Sequence, residues 1–407
     1  MDHFASFCLI DAMRDFSKLC IPLHCRSMRA YPSRRDFTKT ALATISTLAS
    51  TRGLHGLEPT ANPSISTISQ QPHYYHGWPT ITRTQAGELI AVWSGRREAH
   101  ICPFGSVEMM VSRDEGASWT YPRTVWDGLI DDRDAGVLET ASGAILVTSF
   151  SSLAYVDHFD QKRAPDAVRA WNSAHARLPD DASREAELGC WAFRSTDQGR
   201  TFSTRIDTVV NSPHGPCQLS DGRLLYLGKR LWEKTKDVGA AESTDDGVSW
   251  SWIAPVPSRP GDDSAAYHEL HAVECASGKI LGTVRNHNAN QSGETLLTHS
   301  LDGGRSWSVP RSIGVWGLPA HLLRLRDGRL LMSYGYRRKP YGNQARLSSD
   351  EGESWSEPIS ISADGSGSDL GYPSTVELSD GSLLSIWYER VEGEEKARLR
   401  QARWKWM

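Results

Sequence analysis

The 407-residue chain has no long apolar run, no strong excess of either charge and, past its first 27 residues, no pair of cysteines at metal-binding or thiol-exchange spacing. Each absence closes off a class of protein. No stretch approaches the ~20 apolar residues that a membrane-spanning helix needs. A formal net charge of −4 supplies no basic footprint for nucleic acid or for an anionic membrane surface. Of the seven cysteines, three lie within the first 27 residues, and Cys102, Cys190, Cys217 and Cys275 are scattered. Four buried thiols are expected from the latter, with no metal and no cofactor. What the chain does contain is tryptophan, 15 of them, and one short polar motif written five times.

The motif reads "SRDEGASW" (112–119), "STDQGRTF" (195–202), "STDDGVSW" (243–250), "SLDGGRSW" (300–307) and "SSDEGESW" (348–355). A second pattern interleaves with it: a turn followed by a β-rich apolar run, as in "AGELIAVWSGR" (86–96) and "DGRLLMSYGYR" (327–337). Its glycines fall at 87, 143, 222, 278, 328 and 381. Each turn reads as a β-hairpin whose glycine takes a positive φ. Six hairpins, five followed by the polar motif, spell four-stranded units in series, which is the signature of a propeller. The expected fold is all-β: a six-bladed β-propeller closed by an N-terminal strand near "SISTISQ" (64–70). In each polar motif the aspartate accepts turn amides, glycine permits the bend, and Trp or Phe packs between sheets, so the five aspartates are expected to be scaffolding. One gap between hairpins is longer. It holds the Ala-, Arg- and Asp-rich "DHFDQKRAPDAVRAWNSAHARLPDDASREAELG", read as a helical insertion in the second blade that either roofs the central mouth or decorates its rim.

Ahead of the propeller, "SRRDFTK" (33–39) precedes the small, weakly apolar run "TALATISTLAS". Paired Arg34 and Arg35 in that setting resemble a twin-arginine export signal, with Met28 fitting as the start and cleavage near Ala49. The expected organisation is a leader over 1–55 and a propeller over 62–407, exported to the periplasm or beyond by the twin-arginine machinery.

The first strands of all blades converge on the axis of a propeller. Here they begin "YYHGWP" (74–79), "DDRDAGV" (131–137), "SPHGPCQ" (212–218), "YHELHAV" (267–273), "GLPAHLL" (317–323) and "LGYPSTV" (370–376). So many His, Asp, Glu, Arg and Tyr at equivalent starts point to an axial site. Arg96, Arg230, Arg285 and Arg337 end four second strands and suggest a basic pocket for an anionic ligand. His214, His268, His271 and His321 also fall near the axis, without ligand spacing of their own.

Five such motifs on a six-bladed frame resemble the sialidase superfamily, from about residue 74 onward. Glu269 sixteen positions ahead of Arg285 is similar to the family segment that carries the nucleophile-activating carboxylate and one arginine of the carboxylate-binding triad. Tyr372 matches the nucleophilic tyrosine, and Arg337 or Arg338 another triad arginine. The resemblance implies an exo-acting, retaining glycoside hydrolase that releases a terminal acidic sugar from a glycan. A neutral phenol fits that task because a carboxylate on the anomeric carbon would repel an anionic nucleophile.

Two departures accompany the match. Gly77 stands where the family's first triad arginine would be; Arg96, Arg97 or Arg133 is a candidate replacement. The family's acid/base aspartate, expected after the first hairpin, is missing from "REAHICPFGSVEMM"; Glu98, His100, Asp132 and Asp134 are candidates for the proton. His268 is a further candidate for substrate binding. The alternatives are an acidic-carbohydrate-binding propeller without turnover, and a polysaccharide lyase using Tyr and His as base and acid.

Overall fold

The computed structural model describes residues 63–289 and 291–406; the twin-arginine segment and the leader lie outside the described residues. Six antiparallel sheets of four strands each follow one another along the chain. The hairpin glycines behave as their turns require: Gly143 and Gly278, for instance, hold φ at +84° and +86°. The innermost strands are Tyr75–Arg83, Asp131–Glu139, Cys217–Gln218, Tyr267–Glu274, Ala320–Arg324 and Leu370–Glu377. The ring closes in the sixth blade, where the N-terminal strand Ser64–Thr67 pairs antiparallel with Arg398–Trp404, Ser64 opposite Arg403 and Thr67 opposite Arg400. First and last strands share one sheet, which gives the sixth blade its fourth, outermost strand.

Apolar side chains from neighbouring sheets meet in wedges between the blades. Tyr75, Leu89 and Trp93 of the first blade pack on Leu384, Ile386 and Leu399 of the sixth. Val92 and Met109 pack on Val137 and Phe193 of the second. Leu225 and Leu227 of the third pack on Ala272 and Leu296 of the fourth. This interleaving turns six separately weak sheets into one body.

All five polar motifs have the same internal bonding. In the first, Ser112 Oγ donates to Asp114 Oδ1 at 2.8 Å, the same Oγ accepts the Gly116 amide at 2.8 Å, and Asp114 accepts the Ser118 amide at 2.8 Å. Ser300, Asp302, Gly304 and Ser306 repeat the set. Trp119 reaches across to the sixth blade, donating to Gln401 at 3.0 Å. The motif recurs because the blade recurs.

Strand register separates the two ends of the ring. Leu89, at the start of the first blade's second strand, pairs with Ser112 at the head of a polar motif, while Arg97 at its other end pairs with Tyr75. The polar motifs therefore ring one face, and the starts of the inner strands open on the other. Helices Pro165–His175 and Asp181–Glu185 form the insertion of the second blade and join it at the open face. Trp171, 2% exposed, packs with Cys102, Ile130 and Tyr155, which seats the insertion against the loop that follows the first hairpin. The insertion thus sits on the rim between the first two blades. Cys102, Cys190 and Cys275 are buried free thiols, as expected; Cys217 is free but only half-buried, which corrects the expectation of four buried thiols.

Candidate active site

The inner strands share a local distortion that builds the site. Trp78, Asp134, His214, Glu269 and Tyr372 all hold positive φ, between +35° and +75°, near the start of an inner strand. The ladder slips at or beside four of them: between Gly77 and Thr80, Arg133 and Gly136, His268 and Leu270, and Gly371 and Ser374. A bulge with one left-handed residue swings that side chain out of the alternating pattern. Four blades do this, and the left-handed His214 precedes the inner strand of a fifth, so these side chains gather at the axis. Non-glycine residues take this conformation at a cost, and such outliers concentrate at functional sites.

Tyr372 Oη donates to Glu269 Oε1, and Arg285 Nη1 holds Glu269 Oε2 while standing 3.3 Å from Tyr372 Oη. Burial and the Glu269 charge push the phenol well above its ordinary range. Burial opposes the charge of Glu269, yet the Arg285 guanidinium and the Tyr372 hydroxyl hold it down to about 2. The resting state is a protonated phenol bonded to an ionised carboxylate, which is how a nucleophile and its base must start. The Arg337 guanidinium lies 5.9 Å from the Tyr372 ring and donates to the Leu370 carbonyl at 3.0 Å.

Asp134 stands across from this group. It is 7% exposed, its Oδ1 has no hydrogen-bond partner among the described residues, and burial pushes its carboxyl up to about 7 against the pull of Arg133. Arg133, 9% exposed, lies 4.5 Å from the Trp78 ring. Arg97 is fully buried and gives a two-pronged bond to Asp131, at 2.6 and 3.0 Å, so its charge is already answered. A Cβ on Gly77 would come within 3.1 Å of the Tyr75 ring. A side chain at this position would press on Tyr75, which would have to shift to admit it; the neighbouring Trp78 ring meets that of Tyr372 edge-on at 6.4 Å.

Other expected residues face elsewhere. Arg96 pairs with Glu108 at 3.3 Å and Asp127 at 3.4 Å. Arg230 pairs with Glu233 at 3.4 Å and stacks 5.1 Å from Trp252. The four arginines do not share one register: Arg96 and Arg285 lie within their strands, whereas Arg230 and Arg337 follow Leu224–Lys229 and Leu330–Tyr336. The common basic pocket reduces to Arg285 and Arg337, with Arg133 opposite. Asp132 accepts the Gly128 amide at 2.6 Å and Ser151 Oγ at 2.8 Å, tying a turn to the second blade. Glu98 accepts the Trp171 indole at 2.6 Å. Arg338 is exposed over Trp316. His268 stacks with His287 at 4.6 Å beside Lys229. His100 does reach the mouth, where its Nδ1 lies 3.0 Å from Asp369.

Below Tyr372, His214, His271 and His321 pack together with centroids 4.7 to 5.6 Å apart. Burial lowers all three, His271 to about 3, so they are neutral. Among the described residues no cluster of His, Cys, Asp or Glu is arranged to hold a metal ion.

Residues overlooked in the sequence are Asp369, Tyr75, Tyr388 and Trp78, which line the mouth around His100. Asp369 is three residues ahead of Tyr372, and Tyr75 and Trp78 sit within a segment already marked as axial. The available signal was their position in the blade repeat.

Residues 166–385, more than half of the chain, match the family described as BNR repeat-like domain. No curated protein matches the chain in sequence. Among solved structures, a protein of unknown function from Dyadobacter fermentans is 22% identical with a TM-score of 0.67, the alignment covering 84% of this chain and 98% of that one. The Hadza microbial sialidase Hz136 is 19% identical with a TM-score of 0.58; 81% of this chain is covered, and it spans 65% of that sialidase's length. The intramolecular trans-sialidase from Ruminococcus gnavus is 14% identical with a TM-score of 0.60, over 84% and 97% of the two chains. These likenesses are of fold, and with the family match they identify the chain as a member of the BNR repeat-like family and a divergent relative of the sialidases on their six-bladed propeller.

Proposed function

We propose that this protein is a retaining exo-glycosidase that releases a terminal acidic sugar, sialic acid or a related ulosonic or uronic acid, from a glycan. The observation that carries this reading is the contact among Tyr372, Glu269 and Arg285, drawn from two blades and three strands. Tyr372 attacks the anomeric carbon as Glu269 takes its proton. Arg285 and Arg337 grip the substrate carboxylate, and Arg133 supplies positive charge from the opposite side.

The pairing of Arg285 with Glu269 gives substrate binding a second consequence. A substrate carboxylate that draws the guanidinium toward itself weakens its hold on Glu269, raising the affinity of Glu269 for the phenol proton. The base then strengthens when an anionic substrate is bound. A sialidase-type scaffold in the named structural relatives supports the reaction class, not the particular sugar. Export through the twin-arginine route is part of the same reading, since acidic glycans of this kind are met outside the cytoplasm.

The test is turnover of a panel of 4-methylumbelliferyl glycosides of sialic, other ulosonic and uronic acids, with Tyr372→Phe as control. The expected result is release that Tyr372→Phe reduces by roughly 10³-fold or more. Saturable binding of an acidic sugar with no product after long incubation would instead make the propeller a lectin.

A further inference from the structure

A retaining mechanism needs a proton donor for the leaving group, and the first hairpin offers no aspartate in its loop. We infer that His100, oriented by Asp369, is the general acid and base of this site. The inference rests on the hydrolase reading above and adds the residue that reading lacks.

The geometry fixes the ring. Asp369 accepts from Tyr75 Oη at 3.0 and 3.1 Å and from Tyr388 Oη at 3.2 Å, and His100 Nδ1 approaches its Oδ1 at 3.0 Å. Tyr75 Oη also lies 2.9 Å from Nδ1. With the Tyr75 hydrogen committed to the carboxylate, both neighbours of Nδ1 present lone pairs, so Nδ1 carries a proton and donates it. Nε2 is then the titrating atom, and among the described residues it makes no hydrogen bond. The Trp78 ring packs edge-on against the imidazole at 5.0 Å, and the bond of Nδ1 to Asp369 sets which nitrogen faces the carboxylate.

Position separates His100 from its rivals. The aglycone must leave toward solvent, so its oxygen lies at the mouth and the donor belongs at the rim. The His100 side chain is 42% exposed, on a loop, whereas Asp134 is 7% exposed at the level of Tyr372. Asp132 and Glu98 are committed to Ser151 and Trp171. Trp78 packs against both His100 and Tyr372, and Tyr388 packs against Tyr372 and donates to Asp369, so one aromatic cluster joins the dyad to the nucleophile.

In the first step the Tyr372 oxygen bonds to the anomeric carbon and its proton passes to Glu269. The bond to the leaving group breaks, and the departing oxygen keeps the electron pair and takes the Nε2 proton of His100. In the second step water attacks the anomeric carbon and gives its proton to Nε2. The bond to Tyr372 breaks, and the phenolate recovers its proton from Glu269. The groups that face His100 are Asp369, Tyr75, Arg133 and Arg97. Burial lowers the imidazole below its ordinary value, Asp369 opposes this, and the two arginines add to it. The donor is therefore protonated only on the acid side of 6.5, and kcat/KM falls as pH rises through that range.

The test compares sialyllactose, with a poor leaving group, and the 4-methylumbelliferyl glycoside, with a good one, in the wild type, His100→Ala, His100→Gln and Asp369→Asn. Loss of the acid is expected to cost about 10²- to 10⁴-fold in kcat/KM on sialyllactose and under about 10-fold on the aryl glycoside. Azide is expected to accelerate His100→Ala on the aryl substrate and to appear in the product as a glycosyl azide. Asp369→Asn, which acts through His100, shifts the alkaline limb of the pH profile. Equal losses on both substrates, or none on sialyllactose, overturn the assignment while the Tyr372-dependent reaction stands. If the wild type turns over none of the sialic, other ulosonic or uronic glycosides, or Tyr372→Phe is as fast, the hydrolase reading falls and takes this assignment with it. Where the active sugar is not sialic acid, the same comparison is made with its alkyl and aryl glycosides.

Discussion

Tyr372 and Glu269, 103 positions apart in the chain, share one hydrogen bond at the axis, and each owes its direction to a left-handed residue in a bulged inner strand. The phenol is useful only if its proton has somewhere to go. Glu269→Gln keeps the shape and a hydrogen bond but removes the acceptor charge. It is expected to lower kcat by about 10²-fold or more while KM for the acidic substrate changes far less, because Arg285 and Arg337 remain. Tyr372→Phe should likewise bind an acidic sugar with near wild-type affinity, measured by calorimetry, while failing to release it. Parallel loss of binding and turnover in both variants would make the pair structural.

Asp134 makes a prediction about stability. Its carboxyl is pushed by burial from 3.8 to about 7 in the fold. A raised value means that the folded state favours the protonated form, so its contribution is complete below about 4 and is lost as pH rises through about 7. Asp134→Asn cannot ionise. Compared with the wild type, the variant is expected to gain at least about 1 kcal/mol between pH 5 and pH 8, since each unit of such a shift is worth about 1.4 kcal/mol. Denaturant unfolding at the two pH values reads this directly. Superimposable differences at both would mean that Asp134 is ionised throughout.

The architecture was legible because its signals are local and repeated. A hairpin glycine and a Ser-x-Asp-x-Gly turn each answer to backbone sterics that hold in every blade, and even the closing strand at Ser64–Thr67 follows from a last blade that is one strand short. The Tyr372, Glu269 and Arg285 set was legible through the family resemblance. Side-chain direction was not. The left-handed positions are filled by Trp78, Asp134, His214, Glu269 and Tyr372 rather than by glycine, so nothing in the residue types flags a bulge. One inserted residue reverses which face a strand presents. Arg96 and Arg230, which look equivalent to Arg285 in the sequence, pair with Asp127 and Glu233 instead, and Arg230 lies beyond the end of its strand while Arg285 lies within its own. Asp369 could be flagged only by its place just ahead of an inner strand, because its partners Tyr75 and His100 come from the opposite end of the chain and meet it only when the ring closes.

The polar motifs offer a clean separation of stability from activity. Asp302 accepts the amides of Arg305 and Ser306 and the hydroxyls of Ser300 and Ser306, which hold its carboxyl down to about 2. The stabilisation it gives is present above the unfolded value of 3.8 and is lost as pH falls through about 2. Asp302→Ala is expected to lower Tm by several degrees at pH 7 and to leave kcat/KM unchanged, because these turns ring the face opposite the mouth. A fall in kcat/KM without a fall in Tm would give the motif a functional role.

The helical insertion is tied to the mouth through Glu98, two residues from His100. Its carboxylate accepts the Trp171 indole at 2.6 Å, and Lys396 holds the Glu98 carbonyl at 2.6 Å. Glu98→Gln preserves an acceptor for the indole, so kcat/KM should stay within about threefold of wild type on both leaving groups. A donor at that position would instead lose about 10²-fold or more on sialyllactose. Trp171→Ala removes the aromatic that fills the space between Tyr155 and Phe159, a change that costs about 3–5 kcal/mol in a well-packed core. Here the loss falls on a unit packed at the rim, so the propeller should still melt cooperatively. The segment 156–188 should become sensitive to limited proteolysis, and KM should rise more than kcat falls as the loop carrying His100 loses its buttress. If proteolysis and kinetics are both unchanged, the insertion is decoration, and the order of the His100 loop comes from Asp369 alone.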